Sequence, residues 1–509
     1  MNRTNKNILR GGLILFYILI IALITLGISS LFSYLNTGAD RSTMLHTEQI
    51  QERYYIPIID WDTTNVKGRQ LDATTLKSIE EDYLNAWYVK SRALKNNSLT
   101  GIEDYYTANA KEKITQLIDY NLNQQITVEM TSLEHHPKVE FFSEDGQLVV
   151  LTDLEVLEHE QLYKEGVFIT KSTSTNTYKI ILLLEDGYWR IRQIVKETSD
   201  NNLKEIATKD LDVDIKGINY YPKSSPWDTF GTQFSKDTIA ADFNIIKSAG
   251  LNSVRIFVGY EDFGKEKVSQ EKLEKLILLL DQAQMADLKV LVTLFDFYGD
   301  YSINDWTMTQ QHLSVIVNGI KDHKALLGWD LKNEPDLDYT SRGKEVVESW
   351  LEHMIYRIKL IDNTHVITIG WSNTTSAAAL VDQVDFVTFH YYEALNELES
   401  ALVDLRSVSG NKEVVVTEFG VSSYSGIWNL MGSSEDDQAD YHKEIQELLD
   451  KNKLPFMSWT LYDFESVPED VTGTYPWRRK PQKYYGFLDS RGGKKKSSYK
   501  YITSQRLKK

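Results

Sequence analysis

Leu326-Leu327-Gly328-Trp329-Asp330-Leu331-Lys332-Asn333-Glu334-Pro335 reads as a short apolar strand, Leu326 to Leu331, that stops on a polar turn closed by proline. The same build recurs on both sides of it. Ile215–Tyr220, Leu251–Val258, Leu288–Phe295, His365–Gly370, Asp385–His390, Glu413–Glu418 and Pro455–Leu461 are further runs rich in β-branched and aromatic residues. Between them lie helical patterns such as Leu273, Leu276, Ile277, Leu280 and Ala283, which fall on one face at 3.6-residue spacing. Eight strands alternating with helices over roughly 290 residues predict an α/β fold, a (β/α)8 TIM barrel over residues 212–503. An open doubly wound sheet is the alternative. No strand here leads into G-x-G-x-x-G or a P-loop, so nothing supports its phosphate turn.

In a closed barrel the C-terminal strand ends converge on one face, and chemistry is sought there. The fourth strand exits through Asn333-Glu334-Pro335 and the seventh through Thr417-Glu418-Phe419-Gly420. One glutamate at a strand end carries little information, because loops are rich in acids. A pair on two strands of one face could divide acid and nucleophile work in glycoside hydrolysis.

With these residues in view, the sequence resembles the clan of retaining glycosidases built on (β/α)8 barrels, and glycoside hydrolase family 5 in particular. The resemblance covers about residues 212–503. By position it implies that Glu334 is the general acid/base, that Asn333 bonds the sugar 2-hydroxyl and that Glu418 is the nucleophile. It further implies that Arg255 of Ser253-Val254-Arg255-Ile256 keeps the nucleophile charged. His390 and Tyr392 would match the family's His-x-Tyr pair, and Trp459 the tryptophan under the sugar at the scissile bond. Lys216-Gly217-Ile218-Asn219-Tyr220 has the family's first-strand look. After the third strand the family often carries histidine, whereas this chain offers Tyr298 or Asp296, with Tyr298 expected on the sugar wall. The substrate class implied is a β-linked glucan or mannan type of polysaccharide or oligosaccharide. Retention asks for carboxyls about 5 to 5.5 Å apart, a coupled pair in which Glu334 holds the proton. Neither metal nor cofactor is called for, and His390 lacks a second ligand at metal spacing.

Each residue also has a structural reading: Arg255 as an ion-pair partner, His390 and Trp459 as core, and Asn333-Glu334-Pro335 as the start of a helix. Their joint fall at strand exits favours catalysis. Two rival functions remain, a non-catalytic carbohydrate-binding subunit of a polysaccharide export assembly, and a transglycosylase using the same glutamates. Tyr220, Tyr221, Trp227, Tyr298, Tyr301, Trp306, Trp371, Trp428 and Trp477 crowd the expected catalytic-face loops and predict an extended cleft. Arg478, Arg479, Lys480 and Lys483 form a local basic patch, read as a solvated face unless the substrate is anionic.

Upstream, residues 68–205 predict a small α+β domain, helical to about Tyr120 and then alternating in strands. Asp145-Gly146 and Glu185-Asp186-Gly187 supply hairpin turns, with Trp189 and Ile191 facing inward. In outline this resembles the cone-shaped nuclear transport factor two-like domains, and it is read as a spacer or docking module. Residues 41–67 read as linker. Arg3, Lys6 and Arg10 precede an uncharged apolar run over residues 11–35, long enough for one membrane span. The flanking charges predict a cytoplasmic tip and anchor over residues 1–40, with everything after Asp40 outside the cell membrane. A tethered enzyme of this kind would work beside polysaccharide synthesis or export proteins. The whole chain has 56 basic against 73 acidic side chains, a net charge of −17, which argues against a nucleic-acid partner. With no cysteine among 509 residues, disulfides, thiol nucleophiles and thiolate metal sites are excluded.

Overall fold

The computed structural model describes residues 55–201, 206–426, 429 and 432–503, with scattered helical residues between 16 and 24. Among the described residues no helix is long and apolar enough to cross a membrane. Most of the run expected to span, residues 11–35, lies outside them, as do Trp428 and residues 202–205.

The first body pairs helices with a meander. Asp72 caps α1 (Ala73–Asn96) by accepting the Thr75 amide at 2.9 Å, which satisfies one orphan donor of the first turn. Ile79, Tyr83, Ala86 and Trp87 form its buried stripe. Asn97 ends the helix in the left-handed conformation, so the expected single helical stretch is divided, and α2 (Ala108–Gln124) completes it. Strands β1 (Ile126–Phe142), β2 (Leu148–Lys164), β3 (Val167–Glu185) and β4 (Tyr188–Asp200) follow in antiparallel order. The β3–β4 turn places Asp186 at φ 54° and Gly187 at φ 87°, the positive pair that a two-residue hairpin loop requires. Trp189 and Ile191 are buried. The residues read as linker are, from Tyr55 onward, part of this body. Ile58 and Ile59 pair in parallel with Glu134 and His135, and the Asp60 and Asp62 amides donate to the carbonyls of His135 and Pro137 at 3.0 Å.

The second body is the barrel. Its strands are β5 (Lys216–Asn219), β6 (Ser253–Gly259), β7 (Lys289–Asp296), β8 (Leu326–Asn333), β9 (Val366–Trp371), β10 (Val387–Tyr391), β11 (Val414–Phe419) and β12 (Phe456–Ser458). All pair in parallel, and β12 closes onto β5 with Phe456 opposite Lys216. The strands are buried almost throughout because the helices outside and the packed interior cover both faces. Of those helices, α3 (Gln270–Met285) is capped by Ser269 and buries Leu273, Leu276, Leu280 and Ala283. Two more, α4 (Trp306–Ile320) and α5 (Lys344–Ile361), face the first body.

There Trp306, expected among the sugar-facing aromatics, is fully buried between two histidines. Its ring lies 4.3 Å from that of His159 on β2 and stacks on His353 at 5.0 Å. Around this sandwich Arg357 pairs with Glu134, Lys171 with Glu352, and the Ile56 amide donates to Thr307 Oγ1 at 3.2 Å. Burial first, and then Lys171, lowers His159 to about 3; burial and then Arg357 lowers His353 well below its ordinary value. The folded protein thus keeps His159 neutral down to about pH 3, while the unfolded chain protonates it near pH 6.5. Between those values the unfolded state binds more protons, so stability falls as pH falls. Thermal midpoints measured from pH 7 to pH 4 are expected to decline, and to decline less steeply in His159→Phe.

Candidate active site

Arg255 organises the catalytic face from below. Its side chain is fully buried on β6 and makes five hydrogen bonds to three other strands. Nε and Nη2 donate to Asp330 Oδ2 at 2.8 and 2.6 Å, and Nη2 also reaches Asn333 Oδ1 at 2.9 Å. Nη1 donates to Asn219 Oδ1 at 3.0 Å and to Glu418 Oε2 at 3.3 Å. Only a planar guanidinium with a fixed fork of donors can serve so many acceptors at once. Burial alone would lower its pKa, but Asp330 and then Glu418 more than offset that and raise it. Gly370 is required beside it, since a β-carbon there would come within 2.7 Å of Arg255 Nη2.

Local backbone geometry aims the two glutamates. β8 and β9 lose register between Asp330 and Asn333, a bulge of the kind that redirects side chains at strand ends. Glu334 then adopts φ 47°, ψ 53°, a left-handed conformation that non-glycine residues seldom hold outside functional positions. Glu418 leaves β11 directly. Oxygens of Glu334 and Glu418 and a ring nitrogen of His390 all lie within 4.8 Å of one another. His390 Nδ1 is hydrogen-bonded to Glu334 Oε1 at 2.8 Å, and Tyr392 donates to Glu418 Oε1 at 2.6 Å. By spacing the three groups could surround a cation, yet Arg255 already supplies the positive charge 3.3 Å from Glu418. Although the Tyr392 ring borders solvent, its hydroxyl is enclosed. That enclosure and then the Glu418 charge raise its pKa well above the ordinary value, so it stays a proton donor.

Asn333, Glu334, Tyr392, Glu418 and Trp459 line one cavity of about 320 Å³, which Arg255 and His390 support from behind. Trp459 sits in an aromatic cluster with Tyr221, Phe257 and Phe464. Its indole Nε1 and His390 Nε2 have no hydrogen-bond partner among the described residues. Tyr298 is elsewhere. Phe297 takes φ 60° and turns the chain, so Asp296 and Phe297 face the cavity while Tyr298 packs on Trp350 at 4.9 Å. Among the described aromatics expected in an extended cleft, Tyr220, Tyr301, Trp306 and Trp371 are buried core, Trp477 stacks on Tyr475, and Tyr221 and Trp227 line the cavity.

Sequence reading missed Asp330 and Thr293, which hold Arg255 in place, Thr293 donating to Asp330 Oδ2 at 2.8 Å. A charged residue inside an apolar strand run was the available signal. Removing the Tyr392 hydroxyl deletes a bond to a charged acceptor, worth about 1.5–3 kcal/mol. Tyr392→Phe is therefore expected to lower kcat/KM on an aryl glycoside about 10- to 100-fold.

The family model described as Cellulase (glycosyl hydrolase family 5) matches residues 211–465. Mannan endo-1,4-beta-mannosidase A of Emericella nidulans is 24% identical over 184 residues, 30% of this chain and 47% of that protein. The protein of the same name from Hypocrea jecorina is 21% identical over 231 residues, 35% of this chain and 51% of that one. The chain spans about half the length of these curated relatives. Among solved structures, GH5_18 of Streptomyces cattleya is 15% identical with a TM-score of 0.47, covering 57% of this chain and 79% of that one. An exo-beta-1,4-mannosidase of Opitutaceae bacterium strain TAV5 is 19% identical with a TM-score of 0.47, covering 58% of this chain and 60% of that one.

Proposed function

We propose, from the premise that this chain belongs to glycosyl hydrolase family 5, that it is a retaining β-glycosidase acting on mannan- or glucan-type chains. The observation that carries this is the pair Glu334 and Glu418, with oxygens within 4.8 Å and unlike partners. Glu418, held by Arg255 and Tyr392, attacks the anomeric carbon. The bond to the leaving oxygen breaks as Glu334 gives that oxygen its proton, and a glycosyl ester forms on Glu418. Glu334, now a carboxylate, takes a proton from water. The water oxygen bonds the anomeric carbon and the ester bond breaks, so two displacements leave the β configuration intact. Asn333, fixed by Arg255, is placed to bond the sugar 2-hydroxyl. The curated relatives named mannosidases support mannan as the first substrate to try.

The anchor belongs to the same reading. Residues 11–35 carry no charge and follow three cations, which supports a single span with the catalytic face outside and a role beside polysaccharide synthesis or export proteins. The purified full chain, given aryl β-mannoside and β-glucoside in an NMR tube, is expected to release the β anomer first. An α product, or no hydrolysis of any β-linked substrate, sinks the mechanism.

A further inference from the structure

A concentration of positive charge lies against the catalytic cavity of this acidic chain. Residues 476–503 carry nine basic side chains and one acidic one, although the net charge of the whole is −17. Two short helices follow the eighth barrel strand, α6 (Glu469–Thr472) and α7 (Pro476–Gln482). Val471 and Thr472 of the first, Gln482 of the second and Tyr485 beyond it line the cavity. Arg479 and Lys480 lie on α7 within three residues of Gln482, which is about 5 Å along the axis at 1.5 Å per residue. Lys483 falls between the lining residues Gln482 and Tyr485.

The partners of these cations leave most of their charge unmatched. Arg479 Nη1 donates to Glu469 at 3.1 Å, in a pair whose side chains both keep exposure, and one such bond leaves a guanidinium further donors. Lys483 donates to the Glu465 carbonyl, an acceptor without charge. Lys480 is exposed and pairs with no carboxylate among the described residues. Burial, then Lys480, then Arg479 lower the pKa of Lys483, and Glu465 opposes them least. Like charges gathered in this way repel, and a bound anion relieves the repulsion. Beside them Tyr475 stacks on Trp477 with centroids 4.7 Å apart and is itself exposed. A flat ring next to cations suits a sugar that carries an acidic group.

The cavity has the opposite sign. Asp296, Glu334 and Glu418 line it, so an acidic group on the sugar under attack would meet three carboxyl groups. That group belongs instead on a neighbouring sugar, outside the cavity. We infer that the substrate is an acidic polysaccharide, with uncharged sugars at the cleaved β-linkage and anionic substituents beside them that Arg479, Lys480 and Lys483 bind. This rests on the hydrolase reading above and specifies the class of chain it serves.

The test uses the full chain on β-1,4-mannan and β-1,4-glucan, each sparsely esterified with succinate or, to the same degree, with acetate. One ester is anionic and the other neutral on the same backbone. A higher kcat/KM is expected on the succinylated polymers, through a lower KM, with the preference shrinking as salt rises. Arg479→Gln combined with Lys480→Gln is expected to cut that preference about three- to tenfold, through the loss of two exposed charge contacts. Equal rates on the two esters at low salt, or an undiminished preference in the folded double variant, would overturn the inference and leave the hydrolase reading standing. If no glycoside is cleaved at all, the hydrolase reading fails, and electrophoresis through gels cast with each polymer still decides the ligand. Stronger retardation by the succinylated polymer would uphold the acidic chain, and equal retardation would overturn it. A double variant that loses preference for phosphatidylglycerol over phosphatidylcholine vesicles, yet keeps its polymer preference, would assign the cations to a membrane surface and overturn it as well.

Discussion

Glu418→Ala is expected to lose turnover by about four to six orders of magnitude, the scale seen when a nucleophile is removed from a site that acts as a unit. The loss should be repairable in a way that identifies the role. Azide, small enough for the space the carboxylate leaves beside Arg255 and Tyr392, would attack the anomeric carbon once. A single displacement inverts, so the product would be an α-glycosyl azide. Glu334→Ala should behave differently. Removing a general acid costs about 10²- to 10⁴-fold on substrates whose leaving oxygen needs the proton, and far less on a dinitrophenyl glycoside that does not. Azide would then intercept the Glu418 ester and give the β azide. Chromatography and NMR of the azide adducts from the two variants separate the roles. The same azide anomer from both would contradict the assignment.

Arg255 is the second site of large effect, in stability as well as rate. Arg255→Leu leaves Asp330 buried with the Thr293 hydroxyl and the Gly370 amide but no cation. Breaking one side of a buried pair costs about 3–5 kcal/mol, mainly through the charge left behind. Arg255→Leu is therefore expected to shift the denaturation midpoint sharply, and adding Asp330→Leu should recover much of the shift by removing the stranded charge. Activity should not return with stability, since Glu418 and Asn333 still lack the bonds from Arg255. Arg255→Lys keeps a positive charge but replaces a fork with a point. It should fold with a smaller midpoint shift and still lose about 10²-fold in kcat/KM. A lysine variant with full activity would show that charge alone suffices, against the positioning role given to the fork.

The barrel was legible because parallel strands covered on both faces write themselves as unbroken apolar runs. Ile215–Tyr220 contains the observed Lys216–Asn219, and His365–Gly370 overlaps Val366–Trp371. Glu334, Glu418 and their neighbours were legible for a related reason. Once strand ends are placed, the residues that leave them share one face, and no long-range contact has to be guessed. What stayed hidden depended on partners distant in sequence or on one backbone angle. Asp330 is a buried charge only because Arg255, 75 residues earlier, reaches it. Tyr298 and Phe297 are adjacent aromatics, and the positive φ of Phe297 decides which of them faces the cavity. Trp306 was indistinguishable in sequence from a sugar platform, yet it is stacked between His159 and His353 where the two bodies meet.

The strand pairing of residues 58–62 bears on how the chain would carry load. Those residues run parallel to β1, held by the Asp60 and Asp62 amides, and Ile56 bonds the barrel helix at Thr307. A pull applied upstream of Tyr55 therefore strains several hydrogen bonds together, in shear along the strand, rather than peeling them one after another. The force passes into both bodies at their junction, entering the barrel at the first turn of α4. Load applied there is shared between the meander and the barrel instead of falling on either body alone.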